Sequence, residues 1–363
     1  MKLKVVDLSR VLAGPVCSMM LGDMGADVIK VERAGEGDET RGWGPPFDSE
    51  GQSAYFLAVN RNKKSIAADL SNAQDRAVVA DLIAGADVVL DNFLPGSLPR
   101  LGLDPEELLD RNPSLIWCTI SGFGSESRRP GYDFVIQAEA GWMAITGETD
   151  GAPMKAGVAL ADVIAGKDAA IAILGIALER AAGPVTAQRR RINISLFASA
   201  SAALVNVAQN VLVAGNEAKR WGNAHANLVP YELFEGADRP FVIAVGSDGQ
   251  WRACANALGL HDMAMDEALR TNAGRVKNRE RVVSAIARRV HEMDAKIWID
   301  RLNVAGVPCG LVRTVSEVLR DVDADPRAGV SPSVPGSVRF PPPKLDEHGD
   351  SIRRLGWRAF GEY

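Results

Sequence analysis

Histidine is scarce in this sequence. The four histidines, His225, His261, His291 and His348, all fall beyond residue 220. No G-x-S-x-G elbow, H-E-x-x-H pair or phosphate-binding G-x-x-x-x-G-K loop occurs, so serine-hydrolase, zinc-protease and nucleotide-kinase readings have no residues to stand on. Cysteine is equally sparse. Cys17, Cys118, Cys254 and Cys309 form no C-x-x-C pair and have no histidine beside them, which excludes a zinc site and a disulfide framework and fits a reducing cytoplasm. Excess positive charge is missing too: the net charge is -5, and no basic run exceeds Arg189-Arg190-Arg191. That is not the footprint of a nucleic-acid binder. Long apolar runs are interrupted, Val163 to Leu178 by Lys167 and Asp168, and Ile194 to Val213 by Asn206, Gln209 and Asn210. Neither run suits a bilayer, and both are expected as buried helices, with no membrane partner. The opening MKLKVVDLS leads straight into a strand pattern, without the apolar stretch and cleavage site of a secretory signal.

What is present is an ordinary globular balance, 47% apolar and 24% charged, over 363 residues. That length suits a large domain carrying a smaller one. Through the first half, short β-branched runs alternate with helical patterns, as a parallel sheet covered by helices requires. Strands are expected at Lys4 to Asp7, Asp27 to Val31, Asp87 to Asp91 and Leu115 to Ile120, with helices at Pro15 to Gly25 and Asn72 to Gly85. From Asp162 to Ala182 the residues are almost all small or aliphatic, which predicts a helix buried on most sides. A strand-like Arg191 to Ser195 and an Ala-rich helix follow. The texture changes near Gly215 to a smaller α+β pattern, with a strand at Phe241 to Val245 and helices near 250–258, 278–293 and 295–304. Strand-turn-helix pieces at Cys309 to Leu319 precede a Pro-rich tail, Pro332 to Pro343, that should run extended. The expected division is 1–190 with 306–363 as a large α/β domain, 191–220 as linking helices, and 221–305 as a small α+β domain. No fixed-period repeat and no metal-ligand cluster is visible.

Gly35 and Gly37 are followed by Asp38, Glu39 and Thr40 rather than by an apolar helical face, so they mark a loop and not a dinucleotide fingerprint. Asp162 stands at the junction between Gly157-Val158-Ala159-Leu160-Ala161 and the apolar helix, where a cap carboxylate is expected. Spacing alone leaves two readings open. One is a helix cap, and the other is a carboxylate held ionised near a helix N-terminus as a nucleophile.

Motifs along the whole chain narrow the choice. Asp7-Leu8-Ser9-Arg10-Val11-Leu12-Ala13-Gly14-Pro15 and Leu21-Gly22-Asp23-Met24-Gly25-Ala26-Asp27-Val28-Ile29-Lys30-Val31-Glu32 resemble the opening of the class III CoA-transferases. This is the family of formyl-CoA transferase and carnitine CoA-transferase, which also contains α-methylacyl-CoA racemase. Further matches are Gly37-Asp38 to Arg41-Gly42-Trp43, Asn60 to Ile66, Asp91-Asn92-Phe93 to Pro95-Gly96, Ser121 to Gly124, Asn223 to Tyr231, Ala244 to Trp251 and Gly306 to Gly310.

The resemblance implies that Asp162 is the catalytic aspartate, taking the acyl group as a mixed anhydride and then CoA as an aspartyl thioester. Asp133 matches an active-site glutamate that orients substrate or steers Asp162, although it reads equally as a cap for the helix ending near Gly141. Gly246, in Gly246-Ser247-Asp248-Gly249, matches a glycine loop that stabilises an oxyanion, in a shorter form. For coenzyme A the match carries over Arg33, Lys63 and Arg100 to phosphate or adenine, Ala13 to the thioester region, and Asn92 and Phe93 to pantetheine and nucleotide. Taken singly, each cation reads as a solvated surface charge. Leu12 replaces a glutamine that binds the substrate carbonyl in formyl-CoA transferase, which argues against oxalate and formate.

The racemase branch pairs its aspartate with a histidine in a Gly-His-Asp segment. Here the segment is Gly131-Tyr132-Asp133, and tyrosine is a poor base near neutral pH. Transfer is therefore favoured over racemisation, and retention of Asp162 and the basic positions argues against a non-catalytic CoA-binding protein. The expected substrates are an acyl-CoA and a free carboxylic acid, short-chain or dicarboxylic, with no permanently bound cofactor. The resemblance further implies a homodimer of two interlocked ring-like subunits.

Overall fold

In a computed structural model, which describes residues 2–361, the β-branched runs assemble into one parallel sheet. Its strands are β1 (Lys4–Asp7), β2 (Asp27–Arg33), β3 (Lys63–Ala68), β4 (Val88–Asp91), β5 (Ile116–Ser121) and β6 (Arg191–Ser195), in the order β3-β2-β1-β4-β5-β6. All neighbours run parallel, with Val5 opposite Val28 on one side and Val88 on the other. Val5, Val6, Val88, Val89, Leu90 and Ile116 are fully buried, as expected for a sheet covered on both faces. Strand order reverses between β1 and β4. The loops leaving those two strands therefore diverge and open a crevice at the carboxyl ends of the strands.

The sequence pattern hid β3. Its Lys63 and Lys64 look unlike a central strand, yet the Lys63 ammonium is buried, donating to Asp7 Oδ2 (3.1 Å), the Pro15 carbonyl (3.0 Å) and Asn60 Oδ1 (2.8 Å). An inward lysine thus passes for surface in a one-dimensional reading.

Helix α1 (Ala13–Asp23) follows β1, and α2 (Ala73–Ala84) follows β3, capped by Asn72 Oδ1, which accepts the Gln74 amide at 2.8 Å. Helices α3 (Asp133–Glu139), α4 (Leu160–Ala182), α5 (Leu196–Ala202) and α6 (Val205–Ala214) follow, besides shorter helical segments such as Pro105–Arg111. Ala165, Ala169, Ala170 and Ile173 of α4 join the core formed by Val5, Leu90 and Cys17. The expectation that α4 is buried on most sides is corrected: one face packs inward, whereas Ile171 is 68% and Leu178 75% exposed. The same correction applies to α6, which has no buried residue. Small residues let α4 approach α1, but nothing among the described residues covers Ile171 and Leu178 on its outer face. No single helix among the described residues is long and apolar enough to cross a membrane.

Two compact units divide the chain. One holds the residues up to Trp142, Lys155–Asn216 and those from Val322, and the other holds Met143–Met154 and Glu217–Asp321. This differs from the expected boundaries in three places, the first being Met143–Met154, which falls in the second unit although it lies within 1–190. The 191–216 stretch stays with the first unit because β6 pairs with β5. The 306–321 stretch stays with the second because its strand at Cys309–Leu311 completes a small antiparallel sheet. That sheet comprises β7 (Tyr231–Glu235), β8 (Pro240–Ala244) and β9 (Cys309–Leu311). Helices α7 (Asp248–Ala257), α8 (Arg279–Val290) and α9 (Ala295–Val304) cover it around Trp251, Ile286 and Trp298. The Pro332–Pro343 tail has neither helix nor strand. It is tied to the loop before β3 by Asn62, whose Nδ2 donates to the Ser337 carbonyl at 2.8 Å.

Candidate active site

A cavity of about 340 Å³ lies at the crevice between β1 and β4. Its walls come from the loop after β1 (Arg10, Val11, Leu12, Ala13), the loop after β4 (Asn92 to Pro95), the end of β5 (Ile120 to Gly122), Gly131, Tyr132, and Asp162 in the first turn of α4.

Asp162 is 9% exposed. Burial, and then the charge of Asp133, push its carboxyl up to about 7, so the expectation of a carboxylate kept ionised by its helix is corrected. Desolvation and a like charge outweigh the helix dipole here. Asp162 does not occupy the cap position either, since Ala159 stands there with no side-chain cap. The cap comes from Asp133, whose Oδ1 accepts the Ala161 amide at 2.8 Å while Oδ2 accepts from Gln137 Nε2 at 2.6 Å. Buried Gln137 in turn accepts the Ala156 amide at 2.9 Å. Asp133, in the first turn of α3, thus caps α4 rather than its own helix, whose cap position is Tyr132, and it fixes the approach to Asp162 and raises its pKa.

Two close approaches shape the cavity. An ideal Cβ on Gly166, one turn after Asp162, would stand 2.5 Å from the Ala13 carbonyl oxygen. Only glycine lets α4 lie this near the start of α1. Gly122 and Gly131 likewise pack backbone on backbone, a Cβ on Gly122 falling 2.6 Å from the Gly131 Cα. This draws the Gly131-Tyr132 segment against the end of β5.

The loop after β1 is clamped from below by side chains. Ser9 donates its amide to Asp7 Oδ1 at 3.0 Å, and its carbonyl accepts from Lys30 Nζ at 2.9 Å. Asn92 grips the Arg10 backbone twice, accepting its amide at 3.1 Å and donating to its carbonyl at 2.8 Å. Val11 has φ +71°, a left-handed conformation that disfavours a β-branched residue by about 1–3 kcal/mol. Its amide donates to both Asp38 oxygens, at 3.4 and 3.3 Å, and Asp38 pairs with Lys30 at 2.9 Å. Burial works against both charges, but Asp38 and Asp7 raise the Lys30 pKa, and Lys30 with Thr40 lowers that of Asp38.

Of the residues carried over from the family motifs, Ala13, Asn92, Phe93 and Asp162 line this cavity. Phe93 also borders a neighbouring cleft of about 390 Å³ that contains Arg33, Lys30 and Asp38. Arg33 is largely exposed and pairs with Glu36 at 2.9 Å. Arg100 donates to the Gly96 carbonyl at 3.0 Å and lines neither space. Lys63 is turned inward, its ammonium held by three acceptors, so in this conformation it supports the loop after β1 rather than meeting a ligand. Gly246 lies in the second unit, and its amide donates to Gln250 Oε1 at 2.9 Å. Ser247 caps α7 there.

Sequence reasoning passed over Arg10, Val11 and Tyr55. The first two sit within the Asp7 to Pro15 motif but carry no individual signal. Tyr55 is half-buried, with its hydroxyl pKa raised by burial and then by the charges of Asp162, Asp133 and Asp38; no local pattern announces it.

The chain matches the family described as CoA-transferase family III over residues 2–348. It is 39% identical to succinyl-CoA:glutarate CoA-transferase of Mus musculus, over 95% of this chain and 83% of that protein. It is 40% identical to succinate–glutarate CoA-transferase of Agrobacterium fabrum, over 95% and 92%. The crystal structure of a CAIB/BAIF family protein from Brucella suis superposes with a TM-score of 0.85 at 41% identity, covering 97% of each chain.

Proposed function

The chain belongs to CoA-transferase family III and is a CoA-transferase, and from this we propose that it moves coenzyme A between short dicarboxylic acids through covalent intermediates on Asp162. The observation that supports this most directly is a buried carboxylate lining a cavity at the switch point of the sheet, steered by a second carboxylate. In this reading Asp162 attacks the thioester carbonyl, the C–S bond breaks, and CoA leaves as thiolate. The thiolate attacks the Asp162 carbonyl of the resulting mixed anhydride, expels the donor acid and forms an aspartyl-CoA thioester. The acceptor carboxylate attacks that thioester, again releasing thiolate. Thiolate attack on the acceptor carbonyl then yields the new acyl-CoA and frees Asp162. Every step exchanges one acyl bond for another, so the cavity must keep water from the activated carbonyl.

Dicarboxylic substrates are supported by the names of the two relatives, which act on succinate and glutarate. The cleft with Arg33 and Phe93 is the proposed seat of the CoA nucleotide. We assign the protein to the cytoplasm, where its four free thiols would persist, and to an interlocked homodimer. No histidine lines the cavity, and Tyr132, which does, is the residue that matches the racemase histidine in the family motif.

Asp162→Ala should abolish exchange of CoA between succinate and glutarate. Hydroxylamine added to wild-type enzyme with acyl-CoA should leave a hydroxamate on Asp162, detected by peptide mass spectrometry. Turnover by the alanine variant, or deuterium wash-in at the α-carbon of a 2-methylacyl-CoA without an acceptor acid, would overturn the reading.

A further inference from the structure

Val11 presents a question that its own chemistry does not answer. It lies in the cavity wall at φ +71°, although glycine would adopt that conformation without strain. Strained residues persist where the surroundings over-determine them. The surroundings here are Lys30 and Asp38, whose side chains have no exposure and so border the neighbouring cleft without presenting their charges to it. Asp38 is aimed at the Val11 amide by Thr40, which donates its amide at 3.0 Å and its hydroxyl at 2.8 Å to Asp38 Oδ1. The Asp38 amide is in turn anchored on Glu32 Oε2 at 3.1 Å, and Glu32 is held by Arg41. On the other side the Lys30 ammonium holds the Ser9 carbonyl at 2.9 Å. A buried ion pair is a weak source of stability compared with an apolar pair of equal volume. This one instead places charge on both sides of a strained backbone turn.

We propose that the buried Lys30–Asp38 pair is a positioning device for the transfer reaction: it locks Val11 in its left-handed conformation and so sets where Val11 to Ala13 stand in the wall of the cavity that Asp162 lines. The inference rests on the reading of that cavity as the reaction chamber. Lys30 and Asp38 are positioning residues, acting through backbone they never leave. A pair that served stability alone would show itself in the melting temperature and leave the turnover of folded enzyme untouched.

The test measures kcat, KM for acyl-CoA and thermal melting for Asp38→Asn and Thr40→Val, each alone and combined with Val11→Gly, with Asp162→Asn alongside. Asp38→Asn is expected to lower kcat about tenfold or more while KM changes less than about threefold, because reacting groups are misplaced rather than lost. Thr40→Val, which removes only the hydroxyl that aims Asp38, should give a smaller fall and decides the matter if Asp38→Asn does not fold. Val11→Gly should restore part of the lost kcat in either background, since glycine reaches a positive φ without the strain that the clamp offsets for valine. Folded variants that keep wild-type kcat, or a Val11→Gly combination that raises the melting temperature without restoring kcat, would overturn the inference. If Asp162→Asn is inactive while the Asp38 and Thr40 variants run at full rate, the positioning role alone falls. If Asp162→Asn turns over like wild type, the reaction-chamber reading falls and takes this inference with it.

Discussion

Burial and the charge of Asp133 push the Asp162 carboxyl up to about 7, so near neutral pH the proposed nucleophile is divided between its two forms. Only the ionised form attacks, and its fraction rises tenfold per pH unit below that value. The expected profile of kcat/KM for acyl-CoA therefore has an acid limb of unit slope that levels off near pH 7. Asp133→Asn removes the second cause of the elevation and leaves burial, so the limb should move to lower pH. A limb that stays in place or moves upward in stopped-flow or steady-state profiles would contradict the assignment. The substitution keeps an oxygen able to accept the Ala161 amide, so the helix start is preserved while the charge is lost.

At the scale of elements, the position of Asp162 depends on how closely α4 lies against α1. Gly166 sets that distance, because an added Cβ would meet the Ala13 carbonyl oxygen at 2.5 Å. Backbone cannot yield as a flexible side chain does. Gly166→Ala should cost about 1–3 kcal/mol, read as a lowered melting temperature, and should lower kcat as the first turn of α4 shifts. A variant with unchanged melting temperature and kcat would show that the helices separate freely. The same scale explains the miss at β3. Periodicity finds strands whose buried residues are apolar, but Lys63 is buried as the partner of Asp7 on β1, two strands away in the sheet order. The pairing exists only once the sheet has formed.

For the whole molecule, the exposed apolar residues on α4 and α6, with Leu178 75%, Leu212 78% and Val213 77% exposed, exceed what scattered surface hydrophobics require. Coverage by a second copy of the chain fits the proposed interlocked dimer. Such a dimer separates only by unfolding, so dilution should not release monomers. Reversible monomers in sedimentation velocity at low concentration would count against it. The larger unit is assembled from the beginning, middle and end of the sequence. The return at Val322 carries no compositional mark as strong as the change near Gly215, so composition alone places that boundary earlier than the fold does.

Composition and motif order were enough to establish an α/β chain, a CoA-transferase family and Asp162 as the residue to watch, because these rest on periodicities and ordered identities that survive in one dimension. The pKa of Asp162, the cap supplied by Asp133, the inward turn of Lys63 and the clamp on Val11 were decided only by tertiary structure. Each depends on burial or on charges brought together from distant segments, and the energy of a buried charge is set by what surrounds it rather than by what adjoins it in sequence.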